Sequence, residues 1–204
     1  MSLIIRPGYR DRDGLDFARL ILMSAPAFLP AVFGKGVLDL MQALFRTSSN
    51  LFSHEETLFA ETDGMTAGML LGCGSAEHGM LELATGLNLL SALGWRMPRL
   101  LPRLLRAAKV VGHVPDGSYY VSNLAVYPQF RGLGAGSGLL RFAEERAGRE
   151  GNESILLDVE TNNVSAIRLY EGHGYRRLSE PRELRLAAGL VFEFSRMGRS
   201  LRHN

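Results

Sequence analysis

The feature that most constrains the fold is a turn between Arg131 and Gly138, in which four glycines alternate with other residues. It follows an apolar run, Tyr119–Val126, and precedes an amphipathic run, Leu139–Ala147. The glycines let the backbone bend and let a ligand approach the main chain closely. Because the N–H groups at the start of a helix carry partial positive charge, a turn in this place suits a phosphate or pyrophosphate.

The two best-known phosphate-binding loops differ from this turn. A Walker loop ends in Gly-Lys-Ser/Thr, and the turn has no lysine. A Rossmann fingerprint needs the spacing G-x-G-x-x-G, but counting from Gly132 places Ser137 third, and counting from Gly134 places Leu139 third. By itself, the turn therefore predicts either a phosphate site or a tight structural turn.

The apolar patterns along the chain predict an α/β fold, because strand-like and helix-like runs follow each other. We expect strands at Leu3–Pro7, Thr57–Glu61, Met65–Leu71, Tyr119–Val126, Ile155–Glu160 and Leu190–Met197. We expect helices over Leu15–Leu22, Val37–Phe45, Met80–Leu93, Pro98–Val111, Leu139–Ala147 and Val164–Glu171.

Three local signals refine this outline. Asp11 or Asp13 is expected to cap the first helix. Prolines and a glycine between Pro26 and Gly34 predict a loop there. Asp63-Gly64 stands between two apolar runs and is the strongest hairpin signal in the chain.

Composition excludes several classes of protein. The chain has 204 residues, which at about 150 residues per domain predicts one domain. A net charge of +2 and 8% aromatic residues are not typical of nucleic-acid binding. One cysteine, Cys73, excludes an internal disulfide and a Cys-rich zinc site, and the histidine spacing predicts no metal site. Met1–Arg10 is too briefly apolar for a signal peptide, and no run is long enough to span a membrane. We therefore expect a cytoplasmic protein that needs neither membrane nor nucleic acid.

Three linked motifs resemble the GNAT (GCN5-related) N-acetyltransferases. Arg131–Gly136 is similar to the family's pyrophosphate motif, Q/R-x-x-G-x-G/A. Leu124–Val126 resembles the end of the fourth strand, which leads into that motif. Asn163–Glu171 resembles the segment N-x-x-A-x-x-L-Y-E, and Gly174-Tyr175 the Gly-aromatic pair after it. The N-terminal half of the chain matches only in the order of its elements.

The resemblance implies a single GNAT domain over residues 1–204. Its α/β fold would contain a mixed, mostly antiparallel sheet of about seven strands with helices on both faces. The fourth and fifth strands would be splayed apart, and residues 119–178 would form the acetyl-CoA-binding core. Residues 74–113 would be an extra helical segment between the third and fourth strands.

The resemblance also implies where the co-substrate acetyl-CoA binds. The amides of the turn would hold its pyrophosphate, and the open edge of the fourth strand would pair with its pantetheine arm. Asn163 would hydrogen-bond that arm, and Tyr170 would lie near the sulfur. The implied cofactor-binding residues are Leu124, Ala125, Val126, Arg131, Gly132, Leu133, Gly134, Ala135, Gly136, Ser137, Asn163 and Tyr170.

Acetyl transfer to an amine makes three chemical demands. A lysine-like amine with a pKa of about 10.4 must lose a proton before it attacks, so a base is needed. By resemblance, the Val126 N–H would stabilise the oxyanion. Tyr170, a phenol with an ordinary pKa of about 10, can donate to the departing thiolate; otherwise it is a packed aromatic residue.

Two carboxylates are candidates for the base, and Asp158 is favoured over Glu160. Alternation along a strand puts Asp158 and Glu160 on one face, and Asp158 resembles the position of a catalytic glutamate in ribosomal-protein N-terminal acetyltransferases. Aspartate is one methylene shorter, so a bridging water would be needed. Another branch of the family has its glutamate early in the fourth strand, where this chain has Tyr119 and Tyr120. The alternative is that both carboxylates only solvate the end of the strand.

The acceptor amine is not identified by the sequence. Four arginines recur three and four residues apart, so they share one side of a predicted helix. They favour an acidic acceptor or an anionic part of CoA, or they form a solvated face. They are Arg96, Arg99, Arg103 and Arg106.

Other readings of the chain stay open at this point. A CoA-binding sensor without turnover is one alternative function, and a dinucleotide-binding module, which the glycine spacing disfavours, is another. A homodimer is also expected from the resemblance, with Phe192 and Phe194 of the last strand as a candidate joining element.

Overall fold

A computed structural model describes residues 2–186 and 189–202. The first residue and the last two residues of the predicted domain lie outside this description. One sheet contains eight strands within the described residues. They are β1 (Leu3–Pro7), β2 (Thr57–Thr62), β3 (Met65–Gly74), β4 (Ser118–Val126), β5 (Ser154–Glu160), β6 (Arg176–Arg177), β7 (Arg182–Arg185) and β8 (Val191–Ser200).

Helices cover both faces of this sheet. They are α1 (Gly14–Ser24), α2 (Phe28–Phe33), α3 (Val37–Arg46), α4 (Ser75–Leu93), α5 (Met97–Ala108), α6 (Ala135–Arg149) and α7 (Val164–Gly172). Residues from α1, α2, α3 and α5 pack with Phe59 and Met69 in one core. Residues from α6 and α7 pack with Leu58 and Leu70 in a second core. Neighbouring residues of one strand thus enter opposite cores, as the period of two requires.

The sheet is mixed and mostly antiparallel, with the order β1-β2-β3-β4-β5-β8-β6 and with β7 paired to β8. Only β4 and β5 run parallel among the described pairs. This confirms the predicted fold class, and the two short strands β6 and β7 raise the strand number slightly above the expectation.

The predicted hairpin forms at Asp63-Gly64. Both residues have positive φ, 50° and 77°, which a two-residue type I′ turn requires. Thr62 therefore pairs with Met65, and β2 and β3 continue as an antiparallel pair.

A β-bulge bends β4 in its middle. Leu71 of β3 pairs with Asn123, and Gly72 pairs with Val121, so Ser122 has no partner in β3. The pairing of β4 with β5 also ends here, at Val121 and Leu157. Because a bulge increases the local twist and bend, the last residues of β4 diverge from β5. The predicted splay is therefore present.

Three details differ from the sequence-based expectations. The segment predicted as a loop contains the short helix α2, whose Leu29 and Val32 are buried; burial outweighs the proline signals. Asp13 stands at the start of α1 but does not cap it, because its carboxylate binds Arg6 at 2.6 Å. α4 begins at Ser75, five residues before the prediction.

Phe192 and Phe194 were expected as a joining element of a dimer. Their side chains are buried and contact the ring of Phe28, at centroid distances of 5.5 and 5.2 Å. They belong to the core, so their rings are not free to contact a second copy. None of the described helices is long and apolar enough to cross a bilayer.

Candidate active site

The gap between β4 and β5 exposes backbone groups of β4. Tyr127 donates its N–H to Ala67 of β3 at 2.9 Å. Because alternate residues of an antiparallel strand point to opposite sides, Val126 and Leu124 turn their N–H and C=O groups toward the gap. Arg131 confirms this direction, since its Nε donates to the Val126 carbonyl at 3.1 Å.

The glycine-rich turn leaves its amides open. Gly132 and Gly134 have positive φ, 75° and 85°, and a Cβ added at either would meet no atom within 4 Å. α6 begins at Ala135. The N–H of Gly138 donates to the carbonyl of Gly134, the residue before the helix, at 2.8 Å. Among the described hydrogen bonds, none uses the N–H groups of residues 132–137 as donors. These groups are therefore available to bond a negatively charged ligand.

A cavity of about 240 Å³ begins where the two strands part. Leu124 and Glu160 line it from the strands, and Asn163, Ala166 and Tyr170 line it from α7. Its other walls come from α1, α2 and α5, on the opposite face of the sheet. The gap therefore connects the two faces of the sheet.

Tyr170 is buried at this junction. Its ring packs beside Tyr175 at 5.9 Å, and burial raises the pKa of its phenol to about 12. The hydroxyl therefore stays protonated at neutral pH. Among the described residues it has no hydrogen-bond partner, so it can donate to a ligand in the cavity.

Glu160 is half-buried at the end of β5. No described side chain or amide bonds its carboxylate, and burial raises its pKa above the ordinary value for glutamate. A carboxylate of this kind is a better base at neutral pH than an exposed one, because its conjugate acid is weaker.

Asp158 lies in a different environment, although it is on the same face of β5. Its side chain is 1% exposed and binds Arg196 at 2.7 Å and Arg182 at 2.6 Å. It also accepts hydrogen bonds from Tyr120 Oη at 2.9 Å and from the Gly112 N–H at 3.1 Å. These donors occupy both oxygens, so little capacity remains to accept a proton from a substrate.

Asn163 is placed by the helix that it starts. Its Oδ1 accepts from the Ala166 N–H at 3.2 Å, which caps α7. Ser165 donates to the same oxygen at 3.1 Å. The side-chain Nδ2 of Asn163 remains free to donate to a ligand, and the side chain lines the cavity.

The four arginines in and just before α5 lie outside the cavity. None of Arg96, Arg99, Arg103 and Arg106 is among the residues that line it. Arg99 stacks over Trp95 at 5.2 Å, and no described carboxylate pairs with any of the four. Their position therefore does not favour the interpretation that they face an acceptor in the cavity.

Cys73 and the histidines give no sign of other chemistry. Burial raises the pKa of the Cys73 thiol to about 12, so it is not a nucleophile at neutral pH. Within residues 2–186 and 189–202, no cluster of three or more His, Cys, Asp and Glu side chains could hold a metal ion.

Sequence analysis missed the partners of Asp158. Arg196 stands in β8 between Ser195 and Met197 and is 9% exposed, and a charged residue in a strand that also carries Phe192, Phe194 and Met197 is a signal for a buried ion pair. In the sequence, Tyr120 is notable only because it stands where another branch of the family has a glutamate. Arg182 and the Gly112 amide carried no signal, because their proximity to Asp158 arises from the tertiary fold.

The open amides of residues 132–137 and the gap between β4 and β5 together suit an extended ligand that is negatively charged at one end. The model of the acetyltransferase (GNAT) family matches residues 32–175. The chain belongs to this family, and the resemblance seen in the motifs is confirmed.

Individual relatives agree with this assignment. N-alpha-acetyltransferase 30 of Saccharomyces cerevisiae is 34% identical over 74 residues, which are 36% of this chain and 42% of that protein. The chain spans 18% to 42% of the length of the curated relatives it matches.

Solved structures show the same fold at low identity. An N-acetyltransferase from Staphylococcus aureus Mu50 is 20% identical with a TM-score of 0.71, covering 96% of this chain and 100% of that one. A Bacillus subtilis acetyltransferase in complex with CoA is 16% identical with a TM-score of 0.55, covering 98% of this chain and 99% of that one.

The different environments of the two carboxylates predict different effects on stability. Asp158→Asn leaves two arginines without their counter-ion, so we expect it to lower the free energy of unfolding by about 3–5 kcal/mol. Glu160→Gln breaks no described contact, so its free energy of unfolding should stay within about 1 kcal/mol of that of the parent. Urea unfolding at pH 7 measures both. Equal losses would contradict the structural role of Asp158.

Proposed function

We propose that the chain is an acetyl-CoA-dependent N-acetyltransferase, which transfers the acetyl group directly to a primary amine within a single domain. The gap between β4 and β5 carries this proposal, because it joins an anion-binding turn to a cavity lined by Glu160 and Tyr170. A carboxylate and a hydrogen-bond donor thus line the cavity in which we place the thioester of acetyl-CoA.

The residues present fit acetyl-CoA. The open amides of residues 132–137 suit its pyrophosphate, and the Leu124 backbone groups suit the amides of its pantetheine arm, with Ala125 holding β4 against β3. Asn163 offers an amide beside that arm. Arg131 fixes the start of the turn through the Val126 carbonyl, which leaves the Val126 N–H for the oxyanion.

Glu160 is our candidate for the base. The substrate ammonium would first give one proton to its carboxylate, directly or through water, and Glu160 would release that proton to solvent. As the free amine forms a C–N bond at the thioester carbonyl, its nitrogen would give Glu160 a second proton. The C–S bond then breaks, and the proton held by Glu160 passes through solvent to the departing thiolate. Asp158 would not be the base, because both of its oxygens already accept hydrogen bonds. Its role would be to hold the surrounding strands in position.

Tyr170 would stabilise the departing thiolate by a hydrogen bond. Complete proton transfer is unfavourable, because the tyrosine pKa is about 12 while an ordinary thiol has a pKa of about 8.5. That difference amounts to about 5 kcal/mol at 1.36 kcal/mol per unit. A strong hydrogen bond, rather than a transferred proton, is therefore the contribution of this phenol.

We also propose a cytoplasmic location, which a single buried cysteine without a disulfide supports. A homodimer stays a prediction from the family, with its contact surface unassigned.

Two measurements on the purified chain test the function. We expect saturable acetyl-CoA binding by calorimetry, and release of free CoA thiol when a primary amine is added. Absence of binding would overturn the whole proposal. Binding without thiol release from a broad set of amines would favour the alternative, a CoA-binding sensor.

Removal of the Tyr170 hydroxyl should affect turnover more than binding. We expect Tyr170→Phe to lower kcat by about 100-fold, with the dissociation constant of acetyl-CoA nearly unchanged, because the hydroxyl acts on the departing sulfur. Tyr175→Phe is the matched control, since Tyr175 is a buried neighbour that does not line the cavity. Equal losses in kcat and affinity for Tyr170→Phe would argue against this role.

The raised pKa of Glu160 gives a pH dependence. A base works only when deprotonated, so kcat/KM should fall about tenfold per pH unit below that pKa. Since the shift is upward, the fall begins at a higher pH than an ordinary glutamate would give. Glu160→Gln should abolish this limb of the profile, whereas Glu145→Gln, an exposed change on α6, should keep it. An unchanged limb in Glu160→Gln would assign the base to another group.

A further inference from the structure

We propose that the acceptor is a small primary amine with an uncharged, apolar skeleton, which lies in the part of the cavity between α2, α5 and β8. This inference rests on the proposed acetyltransferase function and adds the chemical class of the acceptor. The same chemistry occurs in free arylalkyl amines and in an apolar first residue of a peptide.

The walls of this part of the cavity are aromatic and aliphatic. α2 contributes Phe28 and Phe33, α5 contributes Leu104, and β8 contributes Phe194. Phe28 meets the Phe194 ring edge-on at 5.2 Å, and Phe33 meets Phe52 in the same way at 6.0 Å. Apolar ligand surface placed against such walls gains about 25 cal/mol per Å² removed from water.

Several polar groups of the wall are already bonded to one another. Asn123 Nδ2 donates to Ser24 Oγ at 2.7 Å, and Ser24 Oγ donates to the Ile21 carbonyl at 2.7 Å. Tyr120 Oη donates to Asp158. A polar skeleton would have to break these bonds or leave its own groups unpaired, and each unpaired group costs about 1–3 kcal/mol.

The charges of the lining residues also select the amine. They include no lysine or arginine, so a carboxylate or phosphate on the acceptor would lose its water without gaining a counter-ion. Burial lowers the pKa of His78, which leaves this ring neutral at neutral pH. Glu160 is the lining carboxylate without an ion pair, because Asp158 is paired with arginines. One ammonium group therefore has a partner in the cavity, and a second would not.

The size of the cavity limits the acceptor further. Its volume of about 240 Å³ would also hold the acetyl end of acetyl-CoA beside Tyr170, and it lies below the range of about 300–1,000 Å³ that is usual for drug-sized ligands. One aromatic ring on a short linker fits such a space, whereas a large polyhydroxylated amine does not.

Four amines test the class of acceptor in a thiol-release assay on the purified chain with saturating acetyl-CoA. They are phenylethylamine, phenylalanine, diaminobutane and a short peptide with phenylalanine first. We expect kcat/KM for phenylethylamine or the peptide to exceed that for phenylalanine and for diaminobutane by at least about 100-fold. Phenylalanine differs from phenylethylamine only by its carboxylate, so the ratio of their kcat/KM values measures the effect of that charge.

The same assay distinguishes the two sources of the apolar amine. A higher kcat/KM for the peptide assigns the acceptor to a polypeptide N-terminus, and a higher value for phenylethylamine assigns it to a free amine. Equal or faster turnover of phenylalanine or diaminobutane would overturn the acceptor class but not the acetyltransferase function. Acetyl-CoA binding with no thiol release from any amine would overturn both.

A variant of the wall tests the position of the skeleton. Ala108 lines the cavity from the exposed end of α5, so a larger side chain can be placed there without disturbing a core. We expect Ala108→Trp to lower the ratio of kcat/KM for phenylethylamine to that for ethylamine by about tenfold or more. Ala76→Trp, at an exposed position of α4 outside the cavity, should leave that ratio unchanged. An unchanged ratio in Ala108→Trp would place the ring elsewhere and overturn the proposal.

Discussion

The structure depends on one extra residue in β4. Ser122 has no partner in β3, and the pairing with β5 stops beside it, at Val121 and Leu157. Continued pairing would have used the backbone groups of Leu124 and Val126 within the sheet and closed the passage between its faces. The bulge instead leaves these groups without a strand partner, and only the Val126 carbonyl has a described donor, Arg131; the others need a ligand or water to bond them. The candidate site is therefore built on interrupted secondary structure.

A buried carboxylate holds the edges of this interruption together. Asp158 follows Leu157, the last residue of β5 that pairs with β4. Its carboxylate joins β4, β7, β8 and the segment after α5 through Tyr120, Arg182, Arg196 and Gly112. Burying these charges is costly, and only the number of well-placed bonds offsets that cost. The same bonds reduce the value of Asp158 as a base, which is why the proposed mechanism uses its neighbour Glu160.

Local patterns made much of the fold predictable. The hairpin at Asp63-Gly64 and the long strands follow from turn chemistry and alternation, because each signal lies within a few residues. The helix α2 was not predictable, since its formation depends on burial of Leu29 and Val32 in a core assembled from distant segments. The turn and Tyr170 were recognisable from linked motifs. The separate roles of Asp158 and Glu160 were not, because strand alternation places both on one face and only tertiary neighbours distinguish them.

The environment of Cys73 has a practical consequence. Its thiol is the only one in the sequence and is 2% exposed at the end of β3. Maleimide reagents react with accessible thiolates, which a group with a pKa of about 12 does not supply near neutral pH. A second cysteine introduced on the surface would then carry a fluorophore or spin label alone. Two such cysteines, one on each side of the opening in the sheet, would let spectroscopy follow the distance across it with the native thiol left in place.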